Sequence, residues 1–110
     1  MTILLDELIN KRDTLGKLVV VTGDFNILHP GHIRLLRFAK ECGDVLVVAV
    51  NSDDTLPNTQ YNNQEDRSDV VSSLSFVDYC FINALPTTEL IEKLQPKAMV
   101  KGREHEGKFN

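Results

Sequence analysis

Lys17-Leu18-Val19-Val20-Val21-Thr22-Gly23-Asp24-Phe25-Asn26-Ile27-Leu28-His29-Pro30-Gly31-His32 decides the fold. The run from Lys17 to Thr22 is continuous and β-branched, which fits a strand covered on both faces. Gly23 to Gly31 reads as a loop. From His32 to Cys42 the spacing becomes helical. Ile33, Leu36 and Ala39 fall on one face, and Arg34, Arg37 and Glu41 on the other. Gly43 is the stop signal. A buried strand, a glycine-containing loop and an amphipathic helix therefore follow one another directly.

Downstream the alternation repeats. Asp44 to Asn51 is a second apolar strand, and Ser52 to Asn63 is a long polar loop. Gln64 to Leu74 is expected to be helical, with Val70, Val71 and Leu74 as its apolar stripe. Val77 to Ile82 is a third strand. Pro86-Thr87-Thr88-Glu89 starts a helix with a threonine cap and an early acid. Its core face is Leu90, Ile91 and Leu94, and Pro96 ends it. Ala98 to Val100 is a fourth strand, followed by a polar segment from Gly102 to Asn110. Upstream, Ile3 to Arg12 carries Leu5, Leu8 and Ile9 on one face, a short helix before Gly16.

Strands alternating with helices call for an α/β fold, a doubly wound, Rossmann-like parallel sheet with helices on both faces. The expected strand order is 3-2-1-4. Residues 1–16 read as a lead-in and 17–110 as the core domain. Ligands in such sheets bind beyond the carboxyl ends of the strands, so the loop after the first strand is where chemistry is expected.

Composition narrows the function. The 110 residues carry a net charge of −4, which argues against a duplex-DNA binder. No apolar run approaches the roughly 20 residues that span a bilayer, and Ile3 to Ile9 lacks the form of a secretory signal. The expected location is cytoplasmic. Cys42 and Cys80 fit neither a metal spacing nor a disulfide framework, and read as reduced core or near-core thiols.

The chemistry rests on His29-Pro30-Gly31-His32. A helix N-terminus offers unpaired N–H groups and partial positive charge, which suit phosphate. Gly31 lets a phosphate approach the backbone. His29 and His32 can each direct an N–H at phosphate oxygens, where charge accumulates during attack. The plain alternative is two surface histidines near a turn.

These residues resemble the cytidylyltransferase-like nucleotidyltransferases with their His-x-Gly-His signature, here preceded by a strand and by Gly23-Asp24-Phe25. Val20 to Asp53 looks like the adenylyltransferase domain of the bifunctional heptose enzymes. Lys101 to Phe109 is similar to glycerol-3-phosphate cytidylyltransferases, and Glu65-Asp66-Arg67 sits where that family has Glu-Gln-Arg. The resemblance implies transfer of a nucleoside monophosphate from CTP or ATP to a phosphorylated small molecule. It implies His29 and His32 as catalytic residues, and Gly23, Asp24, Phe25, Gly31, Gly102 and Arg103 as nucleotide-binding. Asn26, Arg67 and Lys108 are the substrate or phosphate candidates. Mg2+ would arrive with the triphosphate rather than in a protein metal site, and the family suggests a homodimer.

Three departures from the family stand out. Asn26 occupies a usual aspartate position. Asp54 to Asn63 contains no lysine, arginine or glycine, where a lysine is usual. The chain stops before a fifth strand and the Ser/Thr-rich helix start that follows it, so it reads as a fragment or a truncated domain with an open edge beside Ala98 to Val100. A nucleotide-binding module without catalysis is the alternative that the first two departures favour. An unrelated doubly wound domain, flavodoxin-like or of the response-regulator kind, would give the two histidines no role.

Overall fold

The structure, a computed structural model, describes residues 1–26, 28–55 and 62–101. Four strands form one parallel sheet: β1 (Leu18–Gly23), β2 (Val45–Asn51), β3 (Tyr79–Asn83) and β4 (Ala98–Lys101), in the order β3-β2-β1-β4. Every pairing is parallel, with Val20 opposite both Val47 and Met99. The expected order is the observed one.

Alternate residues of the strands feed two cores. Val19, Val21, Leu46, Val48 and Val50 pack under α2 (Pro30–Glu41) and α3 (Gln64–Ser72). Leu18, Val20, Val47 and Ala49 pack with Leu8 of α1 (Leu5–Lys11) and with Leu90 and Leu94 of α4 (Thr87–Leu94). Burial on both faces is why these strands read as continuous apolar runs. The segment before residue 17 is built into the same sheet and core. Leu8 is fully buried, and Thr2 bridges Cys80 in parallel, so Met1 to Ile3 lines the outer edge of β3. Burying one such leucine contributes about 1.5–3 kcal/mol.

Two local expectations are corrected. In α3, Val70 is exposed, and the buried face is Arg67, Ser68 and Val71. A polar face was therefore taken inward, which hydropathy periodicity does not register. In α4 the N-cap is Pro86 with no side-chain hydrogen bond, so the threonines lie inside the helix rather than capping it. Between α1 and β1 a 3-10 turn, Arg12–Thr14, continues the helix. Gly16 then takes φ +74°, a left-handed conformation that glycine accepts without steric cost. Among the described residues β4 pairs on one side only, with β1.

Candidate active site

β1 delivers Gly23 and Asp24 to the carboxyl edge of the sheet, and the chain turns there. Phe25, only 1% exposed, has φ +51°. For a bulky side chain that conformation is strained, by about 1–3 kcal/mol, and the surroundings must hold it. Its ring meets the His32 ring edge-on, with centroids 5.9 Å apart. The turn at Phe25 thus sets the floor beneath one of the two histidines.

His29 is the N-cap of α2, with extended backbone and Pro30 following. Its Nδ1 accepts the N–H of Gly31 at 3.0 Å, and His32 Nδ1 accepts the N–H of His29 at 3.3 Å. Each imidazole thus satisfies a backbone donor at the helix start. With Nδ1 accepting, the proton of a neutral ring sits on Nε2. The two rings lie 4.0 Å apart, centroid to centroid, His29 exposed and His32 largely buried. Histidine is not among the favoured N-cap residues, yet its ring here does satisfy the Gly31 N–H. A Cβ on Gly31 would stand 2.8 Å from His29 Cε1, so glycine leaves room for the ring.

Asp24 is largely buried, and its carboxylate accepts from Asn51 Nδ2 at 2.7 Å. Asn26 is joined to Asn62 twice: its Oδ1 accepts the Asn62 N–H at 2.6 Å, and its carbonyl accepts from Asn62 Nδ2 at 3.0 Å. The residue standing in the family's aspartate position thus latches the histidine loop to the far end of the 52–63 loop. Arg67, one of the substrate or phosphate candidates, is 1% exposed. It donates to the carbonyls of Asp24, Asn51 and Asn62 and to the carboxylate of Asp53. The structure therefore gathers Gly23, Asp24, Phe25, Asn26, His29, Gly31, His32 and Arg67 at one end of the sheet. Gly102, Arg103 and Lys108 lie outside the described residues.

Asn51 and Asn62 were missed at the sequence level. Only their polarity at a strand end and before a helix hinted at them. A cavity of about 400 Å³ opens elsewhere, beside β3, lined by Thr2, Ile3, Ser68, Cys80 and Phe81 among others. It shares no residue with the histidine loop. Among the described residues no three His, Cys, Asp or Glu side chains gather as a metal cage.

The sequence model of the family described as cytidylyltransferase-like matches residues 20–109, which takes in the whole of this arrangement. The chain belongs to the cytidylyltransferase-like family. It is 45% identical over 98 residues to the bifunctional protein HldE of Campylobacter curvus, covering 84% of this chain and 21% of that protein. It is 40% identical over 111 residues to HldE of Aliarcobacter butzleri, covering 94% of this chain and 23% of that protein. The chain thus spans about a fifth to a quarter of the length of these curated relatives. A solved lipopolysaccharide core biosynthesis protein from Thermoplasma volcanium has the same fold, with TM-score 0.70 and 30% identity over 76% of this chain and 72% of that one. No helix among the described residues of this cytidylyltransferase-like chain is long and apolar enough to cross a membrane.

Proposed function

We propose that the chain is a nucleotidyltransferase unit that moves a nucleoside monophosphate from a triphosphate to a phosphorylated small molecule. The observation that carries this reading is the reciprocal capping of α2 by His29 and His32 across Gly31. His29 already takes the N–H groups of Gly31, His32 and Ile33, so the imidazoles, standing at the positive end of the helix dipole, rather than the helix amides, are proposed to meet the triphosphate. We favour ATP over CTP and a sugar phosphate over glycerol phosphate, because Val20 to Asp53 resembles the adenylyltransferase domain of the bifunctional heptose enzymes and the relatives at 45% and 40% identity are bifunctional HldE proteins.

In the reaction an oxygen of the acceptor phosphate forms a bond to the α-phosphorus. The bond from that phosphorus to the bridging oxygen breaks, and pyrophosphate leaves with the electron pair. The protein forms no covalent intermediate. It orients the reactants and directs His29 and His32 at the charge that builds on the phosphate oxygens. Mg2+, when bound with the triphosphate, supplies charge neutralisation along it. Asp24, which the family resemblance gives to nucleotide binding, has its carboxylate held by Asn51 Nδ2 at 2.7 Å. A homodimer is the expected assembly.

The lysine-free stretch Asp54 to Asn63 favours a second reading, a module that binds nucleotide without turning it over. One experiment separates the two. Pyrophosphate release is measured with ATP, CTP, UTP and GTP against a panel of sugar 1-phosphates and glycerol 3-phosphate, alongside calorimetric binding of each nucleotide. Release with one nucleotide and acceptor supports the transferase. Binding without release supports the module, and the absence of both binding and release sinks both readings.

A further inference from the structure

Arg67 enters the reading above only as one of the residues gathered at the sheet edge. Its contacts assign it a more specific task. It lies on the buried face of α3 and is 1% exposed, yet among the described residues it meets a single carboxylate. Nη2 meets Asp53 Oδ1 at 2.9 Å, and that Asp53 side chain is half exposed. The other contacts are to main-chain carbonyls: Nη1 to Asp24 at 2.7 Å and Asn51 at 2.8 Å, and Nε to Asn62 at 2.8 Å. Those three carbonyls belong to the turn after β1, the last residue of β2 and the far side of the 52–63 loop. With Asp53 they make four acceptors, which a planar fork of five fixed N–H donors can serve at once and an ammonium, with three, cannot.

The link to Asp24 matters most. Its carbonyl begins the peptide that leads into Phe25, whose φ of +51° is strained. A charge-assisted bond to that carbonyl fixes the peptide plane and offsets the strain. Phe25 in turn meets the His32 ring edge-on at 5.9 Å. The second arm reaches Asn62, which latches Asn26 in the same loop. Two routes thus run from one guanidinium to the segment bearing His29 and His32.

We propose that Arg67 is the positioning residue of the histidine loop. It acts through the Asp24 carbonyl and Phe25 on His32, and through Asn62 on Asn26, without touching the nucleotide. The turnover part of this proposal rests on the transferase reading above. The exchange part does not.

The test compares wild type, Arg67→Lys and Asp53→Ala in the full chain, by amide hydrogen exchange and by steady-state kinetics normalised to folded protein. In Arg67→Lys, protection is lost at Thr22 to Asn26 and at Asn51, while Leu18 to Val21 at the start of β1 keeps its protection. Turnover falls by roughly tenfold to a hundredfold, the scale of a small misplacement of reacting groups. KM for the nucleotide changes little. In the His32→Ala background the same substitution has a smaller effect, because the route through Phe25 to His32 is gone and only the one through Asn62 to Asn26 remains. Lysine does not rescue, although it keeps the charge. Uniform loss of protection with unchanged kcat and KM per folded molecule would show a structural role only and overturn the proposal. So would full activity of Arg67→Lys, or an undiminished effect in the His32→Ala background.

Asp53→Ala removes only the half-exposed contact and keeps the three carbonyl bonds, so it is the variant to read if Arg67→Lys does not fold. It loosens Asp53 to Thr55 while Thr22 to Asn26 stays protected. Equal loosening of both segments contradicts a clasp built on the carbonyls. If wild type binds nucleotide but releases no pyrophosphate, the transferase reading fails, and the exchange pattern still decides the clasp.

Discussion

The imidazoles of His29 and His32 lie 4.0 Å apart, and each turns its Nδ1 to a backbone N–H at the start of one helix. The same two bonds that cap the helix set the tautomer of both rings. Helix stability and the proposed chemistry are therefore tied to the same atoms, but unequally. His29 is exposed and caps Gly31, while His32 is packed against Phe25.

His32→Ala is expected to lower turnover by at least about tenfold, as for one lost transition-state donor, with a smaller change in nucleotide affinity. His29→Ala is expected to lower turnover and also to destabilise the chain by about 0.5–2 kcal/mol through loss of the cap. Kinetics and urea unfolding on both variants check this. Near-normal turnover in folded His32→Ala would remove His32 from the mechanism.

Gly31→Ala separates catalysis from stability. The new Cβ would stand 2.8 Å from His29 Cε1 and 3.1 Å from its Nδ1, so the exposed ring must swing away. The lost cap costs about 1 kcal/mol, and replacing glycine by alanine in a helix returns about as much. The melting temperature is therefore expected to stay close to wild type while turnover falls. A variant with both properties intact would show that His29 does not need the position it holds.

The strands were legible because parallel strands buried on both faces admit few polar residues, as Val19 to Val21 and Leu46 to Val50 show. The histidine loop was legible because its signature is local and falls between a strand and a helix. Arg67 was not. Hydropathy places arginine outside, and the carbonyls that justify its burial lie 43, 16 and 5 residues away in sequence. Val70 was misassigned for the same reason: once Arg67, Ser68 and Val71 take the inner face of α3, Val70 points away from it. The Asn26–Asn62 latch, 36 residues apart, leaves no periodic trace either.

Gly43→Ala is expected to destabilise the chain by about 1–3 kcal/mol, the usual cost of forcing atoms into packed space. Its Cβ would stand 2.7 Å from both the Lys17 carbonyl oxygen and Val19 Cγ2. That carbonyl cannot yield easily, because it accepts the N–H groups of Asp44 and Val45 at 2.8 and 3.1 Å. Urea unfolding should show a lower midpoint with an unchanged slope, and an unchanged midpoint would mean the turn relaxes freely.

The two thiols should differ sharply. Cys80 is buried in β3, and burial pushes its thiol above the ordinary value of 9.0, opposed in part by the hydrogen bond with Ser68. Cys42 is half-buried at the end of α2. The thiolate is the reactive form, so at about pH 8, below that ordinary value, a disulfide-exchange reagent should label Cys42 readily in the native protein and Cys80 only after unfolding. The linkage follows from the same direction of shift. A folded-state value above the unfolded one means that the unfolded chain loses this proton first as pH rises. The contribution of Cys80 is therefore fully present below about pH 9 and is lost as pH climbs through its raised native value. Cys80→Ala should flatten the fall in stability above pH 9, at the cost of a small cavity. Rapid labelling of both thiols in the native chain would mean that β3 and the Met1–Ile3 segment along its edge open far more often than their pairing implies.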